Sequence, residues 1–190
     1  MRTMTITPDD VLKFWFEENG RDQWFGKAEA FDEEIESRFA ELSHRARDGK
    51  LERWVEAPRS CLALIILIDQ FSRNLYRQSP LAWSADVHSL AIARLALEKG
   101  YDLELDQTER TFMYLPFMHS EVLADQERSV ALTEKNNDGT NEFNQANYDS
   151  AIKHRDIIAR FGRFPHRNVV LERESTAEEI EFLKGPDSLF

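Results

Sequence analysis

The run Cys61-Leu62-Ala63-Leu64-Ile65-Ile66-Leu67-Ile68 carries no polar side-chain atom except the thiol, and the chain then turns at once into Asp69-Gln70-Phe71-Ser72-Arg73-Asn74. A helix that is apolar on every side is a buried helix, so the polar cluster at its end is expected in or beside the core. There each unpaired group costs about 1–3 kcal/mol. Such a cluster is either satisfied internally or put to use.

At 190 residues the chain suits one domain, 1–190, large enough to bury roughly 70% of the surface its unfolded form exposes. Its single cysteine, Cys61, has no internal disulfide partner and reads as a small core hydrophobe rather than a nucleophile, which fits a reducing cytoplasm. The start Met1-Arg2-Thr3-Met4-Thr5-Ile6-Thr7-Pro8 holds no apolar run of signal-peptide length. The apolar residues 61–68 also fall far short of the roughly 20 that a membrane span needs. A cytoplasmic protein with no membrane partner is expected.

The net charge of −11 opposes a nucleic-acid backbone, so no nucleic-acid partner is expected either. One region departs from this average. Between residues 153 and 173, Lys153, Arg155, Arg160, Arg163, Arg167 and Arg173 stand against only Asp156 and Glu172, a local balance of +4. Such a stretch is either a basic face docked on acidic helices or part of an anion pocket.

Almost every periodic segment has the helical period. Phe31, Ile35, Phe39, Leu42 and Ala46 form one stripe, on a helix that Gly49 can end in the left-handed conformation. Before it, Thr7-Pro8-Asp9-Asp10 caps a first helix that ends near Asn19-Gly20, and Trp24-Phe25-Gly26 reads as an aromatic plug at a core edge. A third helix starts around Pro58, and a fourth is capped by Ser84 and closed by Gly100. Asp106-Gln107-Thr108-Glu109 opens a fifth, which Pro116 should kink beside His119. A sixth runs through Val122 to about Lys135, and a seventh from about Gln145 to Phe161. The polar segment 136–144 between them is expected to be a flexible loop. Ser175-Thr176-Ala177-Glu178 caps a short eighth helix. No segment alternates at strand length, so the fold class is all-α, about eight helices packed as antiparallel hairpins.

Candidate chemistry gathers in three places. Asp69 and Arg73, four apart, have the spacing and order of an intrahelical ion pair; they either lock the helix end or orient Arg73 toward an anion, with Asn74 beside them. His119-Ser120-Glu121 follows the proline and offers a general acid and base, although the two-residue spacing is poor for a helical metal pair. His154 lies on the apolar face of its helix, which leads into Phe161-Gly162-Arg163-Phe164-Pro165-His166-Arg167-Asn168. There Arg163, His166 and Arg167 supply the donors that hold a carboxylate or phosphate, or else satisfy loop carbonyls. Asp69, His119, Glu121 and His154 are the candidate catalytic groups, and Arg73, Asn74, Arg163, His166 and Arg167 the candidate substrate-binding groups.

The blocks Leu64-Ile65-Ile66-Leu67-Ile68-Asp69-Gln70-Phe71-Ser72-Arg73-Asn74, Tyr114-Leu115-Pro116-Phe117-Met118-His119-Ser120-Glu121 and Phe161-Gly162-Arg163-Phe164-Pro165-His166-Arg167-Asn168 resemble the signature blocks of an uncharacterised bacterial family, domain of unknown function 924. The resemblance extends from Val11-Leu12-Lys13-Phe14-Trp15 to Ser175-Thr176-Ala177-Glu178-Glu179. It implies a tetratricopeptide-like superhelical stack of helix hairpins with a concave or central cavity, and supplies no established catalytic residue. Two positions depart from the family pattern: Ser72 stands where proline is common, and Glu172 where glycine is common before Arg173.

The leading functional expectation is a pocket for a small anionic metabolite, hydrolysed or isomerised there through activated water or proton transfer, with no cofactor. A peptide-binding scaffold without catalysis is the alternative. A divalent metal among Asp69, His119, Glu121 and His154 is a third reading, and homo-oligomerisation is left open.

Overall fold

The computed structural model describes residues 6–188, so the start segment Met1 to Thr5 lies outside the described residues. These contain nine α-helices and no strand. The chain divides into two compact units: one takes the chain through Arg77 and then Leu81–Asp106, the other Gln78–Pro80 and the chain from Gln107 onward.

In the first unit α1 (Pro8–Lys13) opens with a reciprocal capping box between Thr7 and Asp10 and widens into a π-helical turn over Phe14–Glu18. A single turn, α2 (Arg21–Trp24), follows; its shortness hid it from any periodicity argument. Of the expected aromatic plug only Trp24 packs inward, donating its Nε1–H to Trp15 O at 2.8 Å and stacking on that indole, whereas Phe25 is exposed. α3 (Glu29–Arg47) buries the predicted stripe, and Gly49 turns the chain at φ +71°.

The all-round apolar run has a direct physical reason: α4 (Pro58–Leu75) packs against α1, α3 and α5 (Asp86–Glu98), leaving no face for water. Phe14, Phe39 and Phe71 meet with ring centroids 4.9–6.0 Å apart, and Ser43 donates to Leu67 O at 2.9 Å, tying α3 to α4. Ser84 does not cap α5. That helix begins at Asp86 after Ala85, because Ser84 Oγ is taken by Arg47 at 2.7 Å and turns to Leu81 O.

In the second unit α6 (Gln107–Met118), α7 (Leu123–Asn136) and α8 (Glu142–Phe161) each pack on the other two. Pro116 lies inside α6, which ends two residues later with His119 N–H still bonded to Leu115 O at 3.0 Å. The stretch between α7 and α8 is shorter than expected, residues 137–141, because Asn141 caps α8 by accepting from Phe143 N at 2.9 Å. Within it Asp138 accepts from Thr140 and Gln107. The capping box that starts α9 (Ala177–Phe182) is formed by Thr176 and Glu179, one residue later than the expected Ser175 and Glu178, since Ser175 Oγ accepts from Asn168 and Glu178 is taken by Arg160. Phe182 of this helix packs with Phe161 on the Ile157, Ile158 and Phe164 cluster.

Candidate functional site

The polar end of α4 is an ion-pair network within the first unit. Asp69, 1% exposed, accepts from Gln70 Nε2 at 2.6 Å and lies 3.3 Å from Arg73. The Arg73 fork reaches across to α5, donating to both oxygens of Asp86 at 3.1 and 3.0 Å, and also to Asp69 O at 2.8 Å. Burial works against its charge, but Asp69 and Asp86 outweigh that and hold the guanidinium charged. Asn74 donates to Asp32 at 2.8 Å, and Arg77 clasps the same carboxylate. Neither Asp86 nor Asp32 was singled out in the sequence, because both join the cluster from other helices.

The other candidates come together in the second unit. Glu121 accepts three charged or backbone donors: Arg173 at 2.7 and 3.0 Å, and Phe164 N–H at 2.8 Å. Burial tends to raise its carboxyl, but the Arg173 hydrogen bonds, the Phe164 amide and the charges of Arg173 and Arg167 together hold it below the usual carboxylate range. Arg173 also donates to Asn168 Oδ1 and Phe164 O, both at 3.0 Å, so one side chain fixes the loop that follows α8. Arg163 forks onto Glu179 at 2.7 and 2.8 Å, and this pushes Glu179 down to about 2. Arg160 reaches Glu178, and Arg155 reaches Asp156. Most of the basic stretch is therefore docked on acids.

Around Phe164 the loop collects a different inventory. The His154 ring meets Phe164 edge-on at 5.4 Å, His166 lies 5.6 Å from it, and the Arg167 guanidinium covers its face at 4.6 Å. Arg167 also donates to His119 O at 3.1 Å. His154 Nδ1 lies 2.8 Å from Ser150 O; a carbonyl cannot donate, so Nδ1 carries the proton and Nε2 presents a lone pair. Burial pushes the His154 imidazole down to about 3, helped by the charges of His119, His166 and Arg167 and opposed by the Ser150 carbonyl. Three of the chain's five histidines thus gather with one arginine. Such a group can donate several hydrogen bonds to an anion while keeping one neutral imidazole as an acceptor.

Elsewhere in the first unit two clefts of about 310 and 260 Å³ adjoin residues 49–54, the second lined also by Ala46, Val55, Leu64, His88 and Ile92. Neither cleft is lined by Asp69, Arg73 or Asn74. Cys61 is fully buried and its thiol is pushed up to about 11 by burial, as a core residue's should be. Among the described residues no three His, Cys, Asp or Glu side chains are grouped to hold a metal ion, and no helix is long and apolar enough to cross a membrane.

The family model for a bacterial protein of unknown function, DUF924, matches residues 11–187. The chain belongs to this family. Among solved structures it is similar to a protein of unknown function, ATU0120, from Agrobacterium tumefaciens, with 38% identity over 94% of this chain and 97% of that one and a TM-score of 0.85. No curated protein matches.

The two positions expected to depart from the family pattern, Ser72 and Glu172, have distinct physical settings. Ser72 lies inside α4, fully buried, where the helix runs on to Leu75 and no sharp turn is made. Glu172 is exposed at φ +54°, a left-handed conformation that glycine adopts freely, and Arg173 turns past it to Glu121.

Proposed function

We propose that the second unit binds a small anionic metabolite, phosphorylated or carboxylated, at the cluster of His119, His154, His166 and Arg167. One observation carries this reading. The imidazoles of His154 and His166 and the Arg167 guanidinium converge on Phe164, with His119 joined to them through its carbonyl on Arg167, while the neighbouring carboxylates Glu121 and Glu179 are each committed to another arginine. Guanidinium and imidazole N–H groups are the donors that bind carboxylate and phosphate best. Arg163 serves this site by anchoring its loop.

If the ligand is hydrolysed or isomerised there, proton transfer falls to His119 or His166. His154, held near 3, is a weak base at neutral pH, and Glu121 is ionised with its oxygens occupied. Ser120 gives its hydroxyl to Asp125 at 2.8 Å at the start of α7, so activated water is the fitting nucleophile. A cytoplasmic setting, where such metabolites abound, suits a chain with one buried free thiol. A thermal-shift screen of phosphorylated and carboxylated metabolites tests the reading. A saturable rise that His166→Ala abolishes supports it, and the absence of any such ligand refutes it.

The second reading is a tetratricopeptide-like scaffold that takes a peptide. Exposed Val122, Leu123 and Val169 in the same unit, the last 83% exposed, favour it.

A further inference from the structure

Helices normally turn their apolar side chains toward one another, but the inner face of α7 does the opposite. Gln126, Ser129, Thr133 and Asn136 form a polar stripe at helical spacing, and all four are buried. At one end of the α7–α8 pair Asn144 donates to Asn136 O at 3.5 Å. Counting back along both helices from that contact brings Ser129 level with Ala151 and Gln126 level with His154. The far end of the seam is thus the candidate site.

Gln126 belongs to that site by direct contact. Its Nε2 donates to Met118 O at 2.7 Å and Ser120 O at 2.6 Å, the carbonyls on either side of the His119 carbonyl that Arg167 takes. These bonds cap the end of α6 and fix the amide's orientation, since a flipped amide would set oxygen against oxygen. The consequence is that Gln126 Oε1 turns inward, with no hydrogen-bond partner among the described residues. One turn further on, Ser129 Oγ has none either, not even the carbonyl of its own helix. Both residues are completely buried.

Resting on the anion-binding reading above, we propose that the ligand is a hydroxylated anion, a polyol or sugar bearing a phosphate or carboxylate, whose hydroxyl groups are received by Gln126 and Ser129 while Arg167 and the histidines hold its charged end. An amide oxygen and a serine hydroxyl form the complement to a hydroxyl group. Neither atom reaches solvent, so the hydroxyl enters by induced fit. On that count Ser129 and Ala151, both buried and small, stand opposite, and it is there that the seam would part.

The test compares inorganic phosphate with glycerol 3-phosphate and ribose 5-phosphate, and acetate with gluconate, by thermal shift on the full chain and on Ser129→Ala. That variant is expected to fold, because it removes a buried hydroxyl that has no partner. The hydroxylated member of at least one pair should half-saturate about tenfold lower than the plain anion, the worth of one well-made hydrogen bond. Ser129→Ala should erase that difference. Equal responses from both members of each pair overturn the inference and leave the anion reading standing, as does an advantage that Ser129→Ala does not change. If no anion shifts the melting temperature, both fall.

Discussion

Arg173 and Glu121, 52 residues apart in sequence, meet in a two-point contact of 2.7 and 3.0 Å, and through it the loop after α8 is fastened to the end of α6. Each side chain is about three-quarters covered, at 23% and 28% exposure. The pair therefore lies between a screened surface bridge and a buried one. Arg173→Met should lower stability by about 2 kcal/mol, read as a lower urea midpoint with unchanged slope. Because the loop carries His166 and Arg167, the anion response should weaken with it.

Arg73 behaves differently. Its guanidinium is spent on Asp69 and Asp86, both largely buried. Arg73→Ala leaves two carboxylates uncompensated and should cost about 3 kcal/mol, seen as a fall in melting temperature. Ligand titration of the folded fraction should still show the wild-type affinity.

At Glu172 the backbone holds φ +54° with a side chain that resists it. Replacing it with glycine should raise stability by about 1 kcal/mol, the left-handed penalty less the added chain entropy. Equilibrium unfolding in urea measures the gain.

Acid should loosen the second unit in two stages. His154 titrates near 3 in the folded chain and near 6.5 when unfolded, so the unfolded state takes up the proton first. Its contribution is complete above about pH 6.5 and is lost as pH falls toward 3. Glu179, brought down to about 2 by Arg163, adds stability above its ordinary 4.5 that is lost as pH falls toward 2. Melting temperatures recorded across this range should decline along both limbs, and His154→Gln should flatten the upper one.

Much of the architecture was legible because local rules and packing agree in it. The Thr7 cap, the Phe31-to-Ala46 stripe and the Gly49 turn each follow from chemistry within a few residues. Ser84 misled because its hydroxyl answers Arg47, 37 residues away, rather than its own helix. The proposed site shows the same limit. Residue types singled out His119, Glu121, His154, Arg163, His166 and Arg167 as candidates, yet nothing in the spacing said that Arg173 would take Glu121 or that Glu179 would take Arg163. Gln126 and Ser129 were invisible for another reason: on a periodicity argument a buried polar stripe looks like an exposed one.

The most direct test of the account is an isothermal titration of phosphorylated and carboxylated metabolites into the wild-type chain and into His166→Ala. A saturable heat in the first that vanishes in the second, with both proteins melting alike when unliganded, is the predicted result. An equal heat in both, or none in either, contradicts the assignment of an anion site to His119, His154, His166 and Arg167.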